Sequence, residues 1–354
     1  MFSMKKDIAI IGTVGVPANY GGFETLAENL INHPAFDFTV YCSSQSYSSK
    51  KTHYKNAKLV YIPIKANGFQ SIIYDAIGIF HAVFHNKKTL LVLGVSGAFA
   101  IKLIKLIKKD ITIITNIDGL EWKRSKWGFF GKCLLKYFES ICVKNSDVII
   151  CDNQAICDYV KSNYQIDGQL IAYGGEHALT ATDTRGDDGY FLSICRIEPE
   201  NNIHTLLEAF SQRPEELKII GNWSSSDYGQ MLRKRFQSVS NLALIDPIYD
   251  VDKLFDIRKN CTAYVHGHSA GGTNPSLVEI MHFGKPVLLF DCIYNRATMQ
   301  DHGFYFVDAD TLAAALQSKA YLQQDTDAIQ RIAQERYTWA KVSQQYADIF
   351  QSAA

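Results

Sequence analysis

Short runs rich in β-branched and aromatic residues alternate with stretches of helical spacing along most of this chain, and that alternation limits its fold more than any other feature. Strand-like runs fall at 7–13, 37–43, 58–64, 89–95, 110–118, 147–153 and 169–175. Helical patterns such as FETLAENLINH and SIIYDAIGIFHAVFH separate most of them. A polar stretch, EHALTATDTRGDDG at 176–189, interrupts the pattern and reads as a linker. The alternation then resumes with YFLSICRI, LKIIGNW, LALIDPIY, CTAYVHGH, PVLLFD and FYFVDA before a long helical region at about 311–352. Strand–helix–strand repetition builds parallel sheets covered by helices. The expectation is two doubly wound α/β domains, at 1–176 and 190–336. The length of 354 residues suits two domains.

The richest chemistry lies in AYVHGHSAGGTNPSLVEIMHFGKPVLLFD at 263–291. It reads as a strand, a glycine turn, a helix stopped at Gly284, and a second strand. Peptide N–H groups around Gly271, Gly272 and Thr273, with those of the helix start, would form an anion site. Pro275 suits a first helical turn. Glu279 lies one turn inside, within reach of the hydroxyls of a ligand whose phosphate sits at the turn. The pattern therefore suggests a nucleotide or nucleotide sugar; the plain alternative is a βαβ turn with an exposed Glu. A second glycine-bearing loop, GTVGVPANYGG at 12–22, follows the first strand. It is not G-x-G-x-x-G, and no acidic residue plainly ends the second strand, which argues against a Rossmann dehydrogenase.

Net charge is zero, but residues 1–180 carry 20 Lys and Arg against 14 Asp and Glu. The excess concentrates in IKLIKLIKK (101–109) and WKRSKWGFFGKCLLKYFE (122–139). Lys102, Lys105, Lys109 and Lys126, with Trp127, Phe129 and Phe130, suit either helices lying on an anionic bilayer or amphipathic helices packed on the sheet. No apolar run reaches a membrane span, and MFSMKKD lacks a signal peptide's apolar region. The eight cysteines stand singly; Cys42, Cys151, Cys195, Cys261 and Cys292 read as buried thiols of a reducing compartment. A cytoplasmic protein with no nucleic-acid partner is expected. Two Asp-x-Asp triplets, at 250–252 and 308–310, precede helical runs and read as helix caps, not as metal ligands.

Three segments carry a family resemblance. HSAGGTNPSLVEIM with GKPV resembles the donor signature of retaining glycosyltransferases of family 4, which have the GT-B fold. Glu279 matches the second Glu of that signature, while Gly271 stands where its first Glu would be. SICRIEPENNIHTLLEAF (193–210) resembles the Gly-Arg-Leu-x-x-Glu-Lys-Asn segment, with Arg196 and Glu200 matched and Asn201 in place of Lys. GTVGVPANYGGFETLAENL (12–30) resembles the Gly-Gly-x-Glu loop.

The resemblance implies two Rossmann-like domains facing a cleft, with a terminal helix, about 337–354, crossing back to the first. It implies donor contacts from Gly21, Gly22, Arg196, Asn201, His268, Gly271, Gly272, Thr273, Asn274, Ser276 and Glu279. Arg196 would neutralise charge building on the leaving diphosphate, so no divalent metal or other cofactor is expected. NIDGLEWKRSKW (116–127) resembles a His-Gly-Leu-Glu-Trp segment, which makes Asp118 a general base or a sugar contact unless it is only a cap. Glu121 is a weaker candidate. Tyr20, Glu24, Tyr173 and Gly174 would line the acceptor side.

Together these segments resemble rhamnosyltransferases of bacterial surface polysaccharide synthesis. That branch implies dTDP-L-rhamnose as donor, a polyprenyl-diphosphate-linked glycan as acceptor, and a peripheral position at the inner membrane face. A UDP-hexose or UDP-N-acetylhexosamine donor, a GT-B-type sugar-nucleotide epimerase, and a catalytically silent sugar-nucleotide sensor are the alternatives.

Overall fold

A computed structural model describes residues 5–18, 21–124 and 127–352. The chain divides into two compact units, residues 1–172 with 340–354, and residues 173–339. In the first, strands β1 (Lys6–Ile11), β2 (Phe36–Ser43), β3 (His53–Tyr54), β4 (Ala57–Ile62), β5 (Thr89–Leu93), β6 (Thr112–Asn116), β7 (Val148–Cys151) and β8 (Gln169–Leu170) form one sheet. Its order is β3-β4-β2-β1-β5-β6-β7-β8, parallel except for the β3–β4 pair. Helices α1 (Gly22–Leu30), α2 (Gln70–Phe84), α3 (Ala98–Ile107), α4 (Phe129–Asn145) and α5 (Gln154–Tyr164) make the crossovers. The run TLLVL of β5 is wholly buried, as a central parallel strand covered on both faces requires.

The second unit has strands β9 (Tyr190–Ile194), β10 (Glu216–Ile220), β11 (Leu242–Ile245), β12 (Cys261–His266), β13 (Val287–Phe290) and β14 (Phe304–Phe306). They form a parallel sheet of order β11-β10-β9-β12-β13-β14. Its helices are α6 (Ile203–Ser211), α7 (Asp227–Phe236), α8 (Val251–Lys259), α9 (Pro275–Met281), α10 (Ile293–Met299), α11 (Ala309–Ser318) and α12 (Thr326–Arg336). Phe191, Leu206, Phe210, Leu217, Ile219, Val265 and Leu288 pack into its core. The chain steps from β9 out to β10 and β11, then returns to the other side of β9 as β12. In the first unit β1 and β5 stand in the same relation.

Two parallel α/β layers were expected, and both are present. Several boundaries differ. The run 110–118 pairs only over β6, and 169–175 only over β8. The polar stretch 176–189 lies inside the second unit. The C-terminal helical region breaks into α11, α12 and α13 (Trp339–Ser352). The first break follows Lys319, which takes a left-handed backbone, and Asp325 caps α12 by accepting from Ala328 N at 2.8 Å. Most of α13 belongs with the first unit, where Asn116 donates to Tyr346 at 2.9 Å and Phe350 packs edge-on against Phe36. Cys42, Cys151 and Cys261 are buried as expected, but Cys195 and Cys292 are only half-buried.

Asp75 of α2 is fully buried close to Gly97, and burial pushes its carboxyl well above the ordinary value of 3.8. A group with a raised folded pKa stabilises at low pH and loses that contribution as pH rises through the folded value. Asp75→Asn, which keeps the shape without the charge, should therefore melt at or above the wild-type temperature at pH 7. Its advantage should grow between pH 5 and pH 8. A fall of several degrees at pH 7 would refute this account.

Candidate active site

Loops that leave neighbouring parallel strands toward opposite crossovers meet over a crevice at the strand ends, the usual ligand position of open α/β sheets. In the second unit these loops follow β9 and β12, and they hold Arg196, Asn201, His268 and the glycine turn.

Hydrogen bonds sew the two loops together. Asn201 Nδ2 donates to the Arg196 carbonyl at 2.7 Å, so its Oδ1 faces His268 Nδ1, also at 2.7 Å. Ser269 donates to the Glu200 carbonyl from both its backbone N and its hydroxyl, each at 2.9 Å. Asn295 Nδ2 holds the His268 carbonyl at 2.8 Å. Gly271 has φ +124, where an L side chain is strained, and a Cβ there would lie 3.0 Å from His268 Nε2. Backbone shape thus accounts for the glycine at a position where the resembling family carries Glu.

The helix that follows is short. Asn274 caps α9, accepting from Ser276 N at 3.0 Å, with Pro275 in the first turn as expected. Seven residues give a weak dipole, and the Asn274 side chain already takes the first free N–H. The anion contribution of the helix end is therefore smaller than the sequence implied.

Arg196 lies two residues beyond β9. Its side chain is 41% exposed, with Nη1 3.5 Å from Glu198 Oε1. Exposed pairs of this kind are weak, so the guanidinium is available to an anion. Thr273 is buried. Glu279 is not the exposed carboxylate of a plain turn. It pairs with the buried Arg258 of α8, and its Oε1 lies 3.3 Å from His177 Nε2. Burial pushes its carboxyl up, but Arg258 and His177 outweigh that and leave it below its ordinary value. An ionised, charge-paired carboxylate accepts hydrogen bonds; it is a poor proton carrier at neutral pH. Tyr173 is buried, and Gly174 lies against Trp339, where a Cβ would stand 2.6 Å from the indole Cγ. His266 is a core residue of β12, and burial pushes its pKa down to about 3.

In the first unit the candidate residues lie on the loop after β1 and on the loop after β6, the strand next to β5. Gly21 has φ +138, and a Cβ there would lie 1.9 Å from Glu24 Oε2. Glu24 itself turns back, accepting from Val14 N at 2.8 Å and Thr13 Oγ1 at 3.0 Å. Through Oε1 it shapes the glycine loop, the structural role that stands beside its expected place on the acceptor side. Glu121 is committed to its own turn, accepting from Trp127 Nε1 at 3.1 Å and pairing with Arg124 Nε at 2.9 Å. Asp118 is neither buried nor a helix cap. It takes φ +60, and its N–H donates to Asn116 Oδ1 at 3.0 Å. Left-handed backbone at a non-glycine residue is strained and recurs at functional sites. Tyr20 and Lys126 lie outside the described residues.

The Asp-x-Asp triplets cap helices as expected: Asp250 accepts from Lys253 N at 2.9 Å and Asp308 from Thr311 N at 2.8 Å. Among the described residues no group of three or more His, Cys, Asp or Glu could hold a metal ion. Sequence reasoning missed Arg258 and His177. The available signal was an Arg in the same helical register as the buried Phe255 of α8.

Residues 5–176 match the model of a domain of unknown function, DUF1972, and residues 178–336 that of glycosyl transferases group 1. No curated protein matches the chain in sequence. Among solved structures, the sucrose-phosphate synthase of Thermosynechococcus elongatus is 14% identical, with 98% of this chain and 99% of that one covered at a TM-score of 0.83. HepE of Anabaena, solved with UDP-glucose, is 13% identical, with 98% and 99% covered at 0.73. A putative UDP-N-acetylglucosamine 2-epimerase of Listeria monocytogenes is 12% identical, with 98% and 96% covered at 0.63. The second unit thus matches the model of glycosyl transferases group 1 over residues 178–336, and the chain has the α/β fold with two parallel sheets, GT-B, of these solved structures.

Proposed function

We propose that this chain is a retaining, metal-independent glycosyltransferase that moves L-rhamnose from dTDP-L-rhamnose to a polyprenyl-diphosphate-linked saccharide of a bacterial surface polysaccharide. The observation that supports sugar transfer is that Arg196 and the 271–273 turn lie on the two loops that leave adjacent strands β9 and β12, loops joined through Asn201 and His268. A guanidinium there takes up the charge that develops on a departing nucleoside diphosphate. Asp118 is the candidate for contact with the acceptor hydroxyl or the sugar. The rhamnose reading rests on Gly271, which supplies no carboxylate to hold hexose hydroxyls and whose φ of +124 would strain a side chain in its place. Likeness to the UDP-glucose complex of HepE favours the second reading, a UDP-hexose donor.

The lipid-linked acceptor agrees with the surface of the first unit. Its lysines are a smaller part of this than the sequence implied. Lys105 is bound to Asp147 and to the Ile111 carbonyl at 2.9 Å, and Lys109 lies beyond the end of α3. Lys102 is exposed. Apolar groups dominate instead: Phe69, Ile73, Phe99, Leu103, Leu106 and Ile107 are exposed, with Phe129 at 76% and Phe130 at 86%. They lie on or beside α2, α3 and α4, which pack side by side. The only acids on these helices, Asp75 and Glu139, are buried. An exposed apolar face on helices whose own acids are buried, with Lys102 exposed beside it, suits a bilayer surface. Among the described residues no helix is long and apolar enough to cross a membrane, so the proposed attachment is peripheral, at the inner face.

Thermal stabilisation in chelator tests the donor. The dTDP-L-rhamnose and dTDP pair should raise the melting point, and UDP, UDP-glucose and UDP-N-acetylglucosamine should do so weakly. The reverse order would establish the UDP reading, and a response only with added magnesium or manganese would overturn metal independence. Conversion of the nucleotide sugar without an acceptor would indicate an epimerase. Arg196→Ala should lower transfer about a hundredfold or more, on the order of 3 kcal/mol, with the melting point kept. For the membrane face, Leu106→Ser with Phe130→Ser should weaken binding to phosphatidylglycerol-rich vesicles about tenfold or more, while Lys105→Gln has little effect. Unchanged vesicle binding in the double variant would remove the membrane from this reading.

A further inference from the structure

Glu279 ends a hydrogen-bonded series contained in the second unit. Trp339 Nε1 lies 3.0 Å from His177 Nδ1. An indole N–H can only donate, so His177 Nδ1 accepts and the proton of the neutral ring resides on Nε2. That Nε2 faces Glu279 Oε1 at 3.3 Å, and Arg258 Nη2 engages Oε2. The segment carrying His177 is clamped as well. Trp339 N donates to Glu176 Oε1 at 2.5 Å, and Gly175 N donates to the Tyr337 carbonyl at 2.8 Å. Gly175 lies so close to α9 that a Cβ would stand 2.6 Å from the Val278 carbonyl.

We propose that His177, Trp339 and Arg258 are positioning residues of the donor site, acting through Glu279 to fix its carboxylate for the hydroxyls of the nucleotide sugar. The inference rests on the donor reading of the loops after β9 and β12. Each carboxylate oxygen gives one lone pair to the protein, from about four in the group, and the rest stay available to a ligand. The two donors divide the work. Arg258, 5% exposed, supplies a fixed buried charge that keeps the carboxylate ionised. His177, with a side chain 40% exposed, supplies an oriented N–H at the rim. A buried ion pair seldom stabilises a fold more than apolar residues of equal volume. The arrangement is therefore better explained by what it holds in place than by stability.

Donor dissociation constants, measured without acceptor for dTDP-L-rhamnose and UDP-glucose, test it by a double-mutant cycle. Glu279→Gln should weaken binding at least tenfold and His177→Phe several-fold. The His177→Phe/Glu279→Gln double variant should bind no worse than Glu279→Gln alone. His177→Gln, which keeps an N–H donor, should restore most of the loss. Arg258→Met leaves a buried carboxylate unpaired and could unfold, so it is read only beside Glu279→Gln, where both charges are gone; that double should also match Glu279→Gln. Independent, multiplying losses would overturn the proposal while leaving Glu279 in the donor site, and so would wild-type affinity in His177→Phe. Wild-type affinity for both donors in Glu279→Gln would remove the donor reading, and this inference with it. Melting temperatures measured in parallel separate lost binding from lost fold.

Discussion

The site depends on one topological constraint, the reversal of crossover direction between β9 and β12. A parallel strand needs a covering crossover to reach its neighbour, and two adjacent strands whose crossovers diverge leave their shared ends uncovered. Only there can the loops at 195–202 and 267–274 meet. Asn201 turns that opening into a defined surface, since its one amide joins the Arg196 carbonyl on one loop to His268 on the other. The position is one where the resembling family has Lys. A buried lysine would bring charge; the asparagine brings rigidity, and it leaves Arg196 as the exposed cation of the pair of loops.

Periodicity made much of this legible. The alternation of strand and helix specified two parallel sheets, and the glycine turn after β12 was readable because Gly, Asn and Pro each have a positional reason there. Roles that depend on what a side chain faces after folding were not legible. Glu24 and Glu121 matched motif positions, yet Glu24 Oε1 is taken by a backbone N–H and a hydroxyl, and the two oxygens of Glu121 by an indole and a guanidinium, of their own loops. The lysines of α3 stood out in a one-dimensional reading, while the exposed apolar face of α2, α3 and α4 needed the neighbouring helices to be placed. Arg258 was invisible because its partner lies on the next helix, beyond β12 and the glycine turn.

Environment sorts the carboxylates into distinct chemical roles. Asp75 lies in an apolar surrounding that favours its neutral form. Glu139 is buried but accepts from Trp122, Tyr159 and Tyr164 at 2.7–3.0 Å, which makes it a structural hub. Glu279 stands between a permanent cation and an imidazole, an acceptor whose charge is compensated. None of these three is placed to take a proton from an acceptor hydroxyl at neutral pH.

Asp118 is different, and the difference is conformational. Its backbone adopts the left-handed region at a position with a Cβ, a state that costs on the order of 1–3 kcal/mol and persists only where the surroundings impose it. The surroundings do impose it. Asn116 Oδ1 accepts the Asp118 N–H while Asn116 Nδ2 donates to Tyr346 of α13. The terminal helix therefore helps set the geometry at the end of β6, far from it in sequence. A strained, partly exposed carboxylate supported by a buried amide is arranged for chemistry to a degree that Glu121, bound to its own turn, is not. The proposed contact with the acceptor accordingly belongs to Asp118.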